Sequence, residues 1–140
     1  VKARMNYARL AKAFVSEGKN EKALEVLDYC METLPLDKLS YDPYVADVIE
    51  AYFAAGATEK ALAMSQAMTG FYYEHLDYYL KQHQYIISSA EFEIQTAIQY
   101  TSRVANACKL NGKPELAEEI NKKLEGYYTS YIGTIQPELK

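Results

Sequence analysis

Apolar residues recur every three or four positions along most of the chain, which is the spacing of one face of an α-helix. The only run that favours β-structure, Tyr85-Ile86-Ile87, is short and lies between polar segments. We therefore predict an all-α chain. The predicted helices cover about residues 3–17, 20–33, 43–55, 58–82, 89–110 and 114–131.

The fourth and fifth predicted helices are longer than their neighbours. Apolar positions continue through 61–80, and Gly70 is a place where this helix could bend. Ser88, followed three residues later by Glu91, has the spacing of a capping box and is expected to open the fifth helix. Pro114 suits the first turn of the sixth helix.

A short motif recurs three times and organises the chain. Gly18, Gly56 and Gly112 are each followed five residues later by alanine, at Ala23, Ala61 and Ala117. A glycine just after a helix supplies a left-handed residue, and an alanine lets the next helix approach closely. The motif predicts three helix hairpins.

Around the first motif, the spacing resembles the 34-residue tetratricopeptide repeat. The signature positions are occupied by Tyr7, Leu10, Ala11, Phe14, Ala23, Leu27, Cys30 and Pro35. Tyr7 stands in place of the usual tryptophan and Cys30 in place of the usual alanine. The resemblance implies a single domain, residues 1–140, built as a short right-handed superhelix with elongated fourth and fifth helices. Its repeats would cover about 4–37 and 42–75, with a degenerate third repeat and extended helices over about 76–131.

Tetratricopeptide stacks hold peptides in a groove lined by the first helix of each hairpin. The corresponding positions here are Met5, Lys12, Val15, Glu50 and Phe53. An open groove would leave Val15 and Phe53 exposed, whereas a groove covered by the extra helices would make both of them core residues. Family members that clamp chaperone C-termini carry polar or basic residues where this chain has alanines, so that partner is not expected.

Tyrosine is unusually frequent: the chain has 14 tyrosines and no tryptophan. The rings could fill seams between helices, or some could form a binding surface for a protein partner. Because adjacent tyrosines point to different sides of a helix, we expect Tyr73, Tyr78 and Tyr128 to be exposed.

Charge and composition exclude several classes of function. The formal net charge is −4 with scattered basic residues, which argues against a nucleic-acid partner. Cys30 and Cys108 lack metal-ligand spacing and are expected to be buried, and His75 and His83 are expected to be surface residues of a long helix. We predict no catalytic residues, no metal and no cofactor. No segment has the length and apolarity of a membrane span, so the segment itself is not expected to insert into a membrane.

The layout from Arg4 through Pro35, followed by the tyrosine-rich helix, also resembles the C-terminal soluble region of large bacterial membrane proteins similar to protein O-mannosyltransferases. The start at Val1 rather than methionine suggests either a processed product or a piece of a longer protein, and we favour the second. The resemblance implies that catalysis belongs to a membrane part outside this sequence. It further implies a periplasmic location, attached to an inner-membrane protein.

These observations predict a non-catalytic module that binds a protein, a peptide or another domain of its parent chain. The alternatives are a dimerisation element and an accessory domain that positions an acceptor polypeptide for a glycosyltransferase-like membrane domain.

Overall fold

The computed structural model describes residues 2–36 and 42–136, and within them the chain is all-helical with no β-strand. The all-α prediction is confirmed. The helices are α1 (Lys2–Ser16), α2 (Asn20–Thr33), α3 (Tyr44–Ala54), α4 (Thr58–Leu80), α5 (Gln84–Ser89), α6 (Glu91–Leu110) and α7 (Pro114–Ile135).

The region between α4 and α6 differs from the prediction. A short helix, α5, occupies most of the connection that the sequence predicted between the helices at 58–82 and 89–110. Ser88 lies inside α5, and Ala90 precedes α6 without a side-chain cap, so the predicted capping box is wrong. The residue that caps here is His83, whose ring Nδ1 accepts a hydrogen bond from the Tyr85 amide at 3.1 Å. A histidine cap is missed by a search for serine, threonine or aspartate.

The three glycine turns share one geometry, and their prediction is confirmed. Gly18, Gly56 and Gly112 have φ of 77°, 86° and 79°, and each follows the end of a helix. In each turn the amide after the glycine donates to the carbonyl five residues earlier, over 2.8–2.9 Å. This hydrogen bond defines the Schellman motif, and the next helix begins one residue later.

The alanine of each motif is buried as predicted. Ala23 and Ala61 are fully buried, and Ala117 is nearly so. Each alanine amide donates to the carbonyl of the residue that follows the glycine, so the alanine occupies the same place in the first turn of α2, α4 and α7. The motif therefore sets both the end of one helix and the close packing of the next.

The chain separates into two compact units, residues 1–68 and 69–140, with the boundary inside α4. In the first unit, α1 packs against both α2 and α3. Its apolar core is formed by Ala8, Ala11, Ala23, Leu27, Cys30, Val45, Val48, Ile49, Tyr52, Ala61 and Met68.

The charged side chain of Arg4 is buried in the first unit. The guanidinium of Arg4 donates to the Leu34 carbonyl at 3.0 Å and lies 3.2 Å from the Asp42 carboxylate. Asp42 in turn accepts from the Tyr44 amide at 2.9 Å, at the start of α3. The predicted start of this helix near residue 43 is confirmed, and Arg4 ties it to the end of α2. The connection between the second and third predicted helices lies mostly outside the described residues.

In the second unit, α6 packs against α7, and α5 packs against both of them. The core contains Leu76, Ile87, Ile94, Val104, Cys108, Ile120, Leu124 and Tyr131. Both cysteines are buried, as predicted. The single domain and the right-handed superhelix remain predictions. No helix in the described part of the chain combines the length and apolarity needed to cross a bilayer.

Candidate protein-binding surfaces

The predicted groove residues lie on α1 and α3, which pack against each other in the first unit. Lys12 of α1 and Glu50 of α3 form an ion pair, with Nζ and Oε1 3.4 Å apart. Met5 and Val15 are half-buried, and Phe53 is only 7% exposed. The interpretation of Phe53 as an exposed groove residue is therefore wrong, and its alternative as a core residue holds.

The small side chains of α1 help to explain this burial. Apart from Arg4, the buried residues of α1 are Ala8 and Ala11, which allow neighbouring helix backbones to come close. Close helices leave little room for an open apolar slot, and the Lys12–Glu50 pair joins α1 to α3. Lys12 and Glu50 remain partly accessible, so this face presents paired charges to solvent.

An apolar surface does lie on α1 and α2, and we call Tyr7, Leu10 and Tyr29 the hairpin surface. Tyr7 and Tyr29 meet edge to face, with ring centroids 5.9 Å apart. Leu10 follows Tyr7 by about one helical turn, and Leu10 and Tyr29 are 47% and 57% exposed. Tyr7 and Leu10 occupy signature positions of the repeat pattern, but that pattern gave no sign that nearly half of Leu10 would be exposed.

A polar triad joins α2, α3 and α4 in the first unit. Tyr52 Oη donates to Asp28 at 2.7 Å, and Lys60 Nζ donates to the same carboxylate at 2.8 Å. Burial, followed by the hydrogen bond to Asp28, raises the pKa of Tyr52 far above its ordinary value. Burial alone would raise the pKa of Asp28, but the hydrogen bonds from Lys60 and Tyr52 outweigh it and lower that pKa. The neutral phenol of Tyr52 can donate and the charged carboxylate of Asp28 can accept, so these protonation states favour the hydrogen bonds that join the three helices.

The tyrosines predicted to be exposed behave differently from one another. Tyr78 and Tyr128 are exposed as predicted. Tyr73 is half-buried, which corrects the prediction: its ring centroid lies 5.9 Å from that of Tyr127, and Lys123 Nζ lies 4.4 Å above it. Tyr127 donates to Asp77 at 2.9 Å, so this group links α4 to α7 within the second unit.

Tyr78 borders a shallow depression of about 360 Å³ along α4. Glu74, His75 and Tyr79 complete its lining. His75 Nδ1 lies 3.0 Å from the Phe71 carbonyl, and its ring packs on the Phe71 ring with centroids 4.2 Å apart. Because all four lining residues come from a single helix, the depression is open rather than enclosed.

A second apolar surface lies on the second unit, and we call Tyr85, Ile86, Phe92 and Tyr128 the end surface. Tyr85 and Phe92 are 80% and 78% exposed, and Ile86 and Tyr128 are also exposed. Of these four, the sequence pointed only to Tyr128. The missed signal was Phe92, an aromatic residue between two glutamates, which is out of phase with the buried stripe of α6.

No group of three or more histidine, cysteine, aspartate or glutamate side chains in residues 2–36 and 42–136 is arranged to hold a metal ion. His83 caps the N-terminus of α5. The surfaces described above define the class of protein only coarsely, as an all-helical chain with exposed aromatic patches. Comparison with family models, curated proteins and solved structures gave no match to this chain.

Proposed function

We propose that the chain is a non-catalytic module of tetratricopeptide-like hairpins that binds a protein or peptide. Support for the hairpin class comes from the three equivalent glycine turns and their buried alanines. The partner could be a separate protein or another domain of the same parent chain.

The observation that carries this proposal is the hairpin surface. Tyr7 and Tyr29 are fixed against each other, and Leu10 projects beside Tyr7 with nearly half of its surface open. Tyrosine loses little conformational entropy on binding and is enriched among residues that dominate interface energies. A rigid aromatic pair with an adjacent leucine is therefore well suited to anchor a polypeptide.

The test is binding to an immobilised peptide array by the whole chain, compared with a variant that combines Leu10→Ser and Tyr29→Ala. We expect the variant to lose about tenfold or more in affinity, because it removes the central apolar contacts. Leu110→Ser is the matched control, since Leu110 is an exposed leucine on the second unit. Circular dichroism must show equal helicity for all three proteins.

Two results would contradict the proposal. One is that the unaltered chain retains no peptide above the background of the array. The other is that the hairpin variant and Leu110→Ser bind equally well. Light scattering on the same samples tests the dimerisation alternative, which predicts that the unaltered chain is a dimer and the hairpin variant a monomer.

A further inference from the structure

The end surface is built from three elements of the second unit. Tyr85 and Ile86 lie on α5, Phe92 lies in the first turn of α6, and Tyr128 lies in the second half of α7. Since α5 packs against both α6 and α7, these residues lie on mutually packed helices at one end of the α6–α7 hairpin. Exposed aromatic groups from three elements make a broader contact area than one helix face could offer.

A buried layer supports this surface. Ile87, Ala90 and Ile94 are buried, so the opposite side of the α5–α6 corner is anchored in the core. Tyr131 is also buried. Burial raises the pKa of Tyr131, Gln95 opposes this rise, and Glu91 and Tyr128 add to it. These interactions indicate that the start of α6 lies close to Tyr128 and Tyr131 of α7. The exposed side chains therefore project from a fixed base.

The charged residues within the two stretches that form this surface are acidic. The stretches 82–102 and 124–136 contain Glu91, Glu93 and Glu125 but no lysine or arginine. Glu91 and Glu93 flank Phe92 and are exposed, and Glu125 lies about one turn before Tyr128 on α7. The described basic residues that border the two stretches are Lys81, Arg103 and Lys123. Arg103 lies about three helical turns after Phe92 on α6, and Lys123 is held over the Tyr73 ring. The end surface thus combines apolar anchors with an acidic rim.

We propose that the end surface binds a polypeptide segment that carries both apolar side chains and lysine or arginine, such as a basic amphipathic helix. Apolar side chains of the partner would cover Phe92 and Tyr85, while its cations would lie against Glu91 and Glu93. This inference rests on the proposed role in polypeptide binding but concerns a different surface. Complementary charge speeds association and selects the partner, and the aromatic contacts supply most of the affinity.

The same charges make two other occupants less suitable. A second copy of this surface would bring two acidic rims together, which costs free energy. An anionic membrane would be repelled by the glutamates, since attraction to such surfaces depends on lysine and arginine. Both remain measurable outcomes of the experiment.

The experiment measures fluorescence anisotropy of a labelled amphipathic peptide of leucine and lysine titrated with the whole chain. We expect saturable binding that weakens as salt is raised, and much weaker binding of the corresponding leucine–glutamate peptide. Phe92→Ala should weaken binding about tenfold or more, and Glu91→Gln with Glu93→Gln about threefold to tenfold.

Two matched controls separate this surface from general attraction to an acidic protein. Glu115→Gln with Glu118→Gln removes two exposed carboxylates from the beginning of α7, and Leu110→Ala removes an exposed apolar group at the other end of α6. Both control variants should bind the leucine–lysine peptide as the unaltered chain does. Equal losses in the control and end-surface variants, or no binding of this peptide, would overturn the inference.

The outcomes also separate this inference from the proposed function. One outcome is that binding to the peptide array depends on Leu10 and Tyr29 while binding of the leucine–lysine peptide is unchanged in Phe92→Ala. In that case the proposed function stands and the end surface is not a binding site. Binding to phosphatidylserine vesicles that is lost in Phe92→Ala would show that the end surface binds a membrane and not a polypeptide. Concentration-dependent dimerisation that is lost in the same variant would show that it binds a second copy of the chain.

Discussion

The Arg4 guanidinium and the Asp42 carboxylate, 3.2 Å apart, connect the beginning of α1 to the beginning of α3. The same guanidinium donates to the Leu34 carbonyl, just after the last turn of α2. A cation at a helix C-terminus and an anion at a helix N-terminus each complement the helix dipole there. The pair therefore fixes three helix ends at once, and Arg4 itself is fully buried.

Arg4→Ala is expected to lower the free energy of unfolding by about 3 kcal/mol, because it leaves Asp42 and the Leu34 carbonyl without their charged partner in a mostly buried site. Urea denaturation followed by circular dichroism measures the change. Arg9→Ala, at an exposed arginine of the same helix, serves as the control and should change stability by less than about 0.5 kcal/mol. A similar change in both variants would show that the contacts of Arg4 with Leu34 and Asp42 add no measurable stability.

Alanine substitutions at the glycines should have opposite effects depending on φ. Gly18→Ala, Gly56→Ala and Gly112→Ala should each destabilise the protein by about 1–2 kcal/mol, because an L-residue is strained at φ near +80°. No neighbouring atom lies within 4 Å of the added Cβ, so the cost comes from the backbone alone. Thermal unfolding checks each variant.

The matched control is Gly126→Ala, which adds the same methyl group to open space inside α7. This variant should be more stable by about 0.5–1 kcal/mol, since alanine favours the helix and glycine does not. If Gly126→Ala destabilised the protein as much as the turn variants, strain at positive φ would not explain their loss.

The features predicted correctly from the sequence are those set by local rules. Glycine followed five residues later by alanine located each hairpin because a left-handed residue and a small side chain are both local requirements. Burial of Phe53 could not be predicted in the same way, because it depends on how closely α3 packs with other helices. Arg4 was missed for a similar reason: its partners at Leu34 and Asp42 are distant in sequence, and nothing in a helical pattern marks an arginine as buried.

The exposed aromatic residues show a further limit of sequence patterns. The periodicity of α6 places Ile94 in the core, and Phe92, out of phase with it, falls on the open side. However, Tyr85 and Ile86 of the end surface lie on α5, a six-residue helix that the pattern did not resolve. Short helices depend on tertiary packing more than on propensity, which explains why the end surface emerged only from the structure.

The buried thiols provide a third prediction. Burial raises the pKa of Cys30 and outweighs the opposing effect of Arg4, and Cys108 is equally inaccessible. A thiol-specific chromogenic reagent should therefore react slowly with both cysteines in the native protein, because both thiols are enclosed and the reactive thiolate of Cys30 is scarce. In concentrated urea both should react at the rate of a free thiol. Rapid labelling without urea would show that the core opens readily around at least one cysteine.

The polar triad of Asp28, Tyr52 and Lys60 predicts how stability depends on alkaline pH. Because the pKa of Tyr52 is raised above its ordinary value of 10.0, the folded state holds a phenol proton that the unfolded chain releases near that pH. The stabilisation is fully present below pH 10 and should be lost progressively as the pH rises above it.

Tyr52→Phe should lower the free energy of unfolding by about 1–2 kcal/mol at neutral pH, because the hydrogen bond to Asp28 is lost. Above pH 10, the free energy of unfolding of this variant should decline less than that of the unaltered chain. Urea denaturation at neutral pH and near pH 11 measures both effects, with Tyr85→Phe as the control at a mostly exposed tyrosine. An alkaline decline as steep in Tyr52→Phe as in the unaltered chain would mean that the other tyrosines, and not this triad, control it.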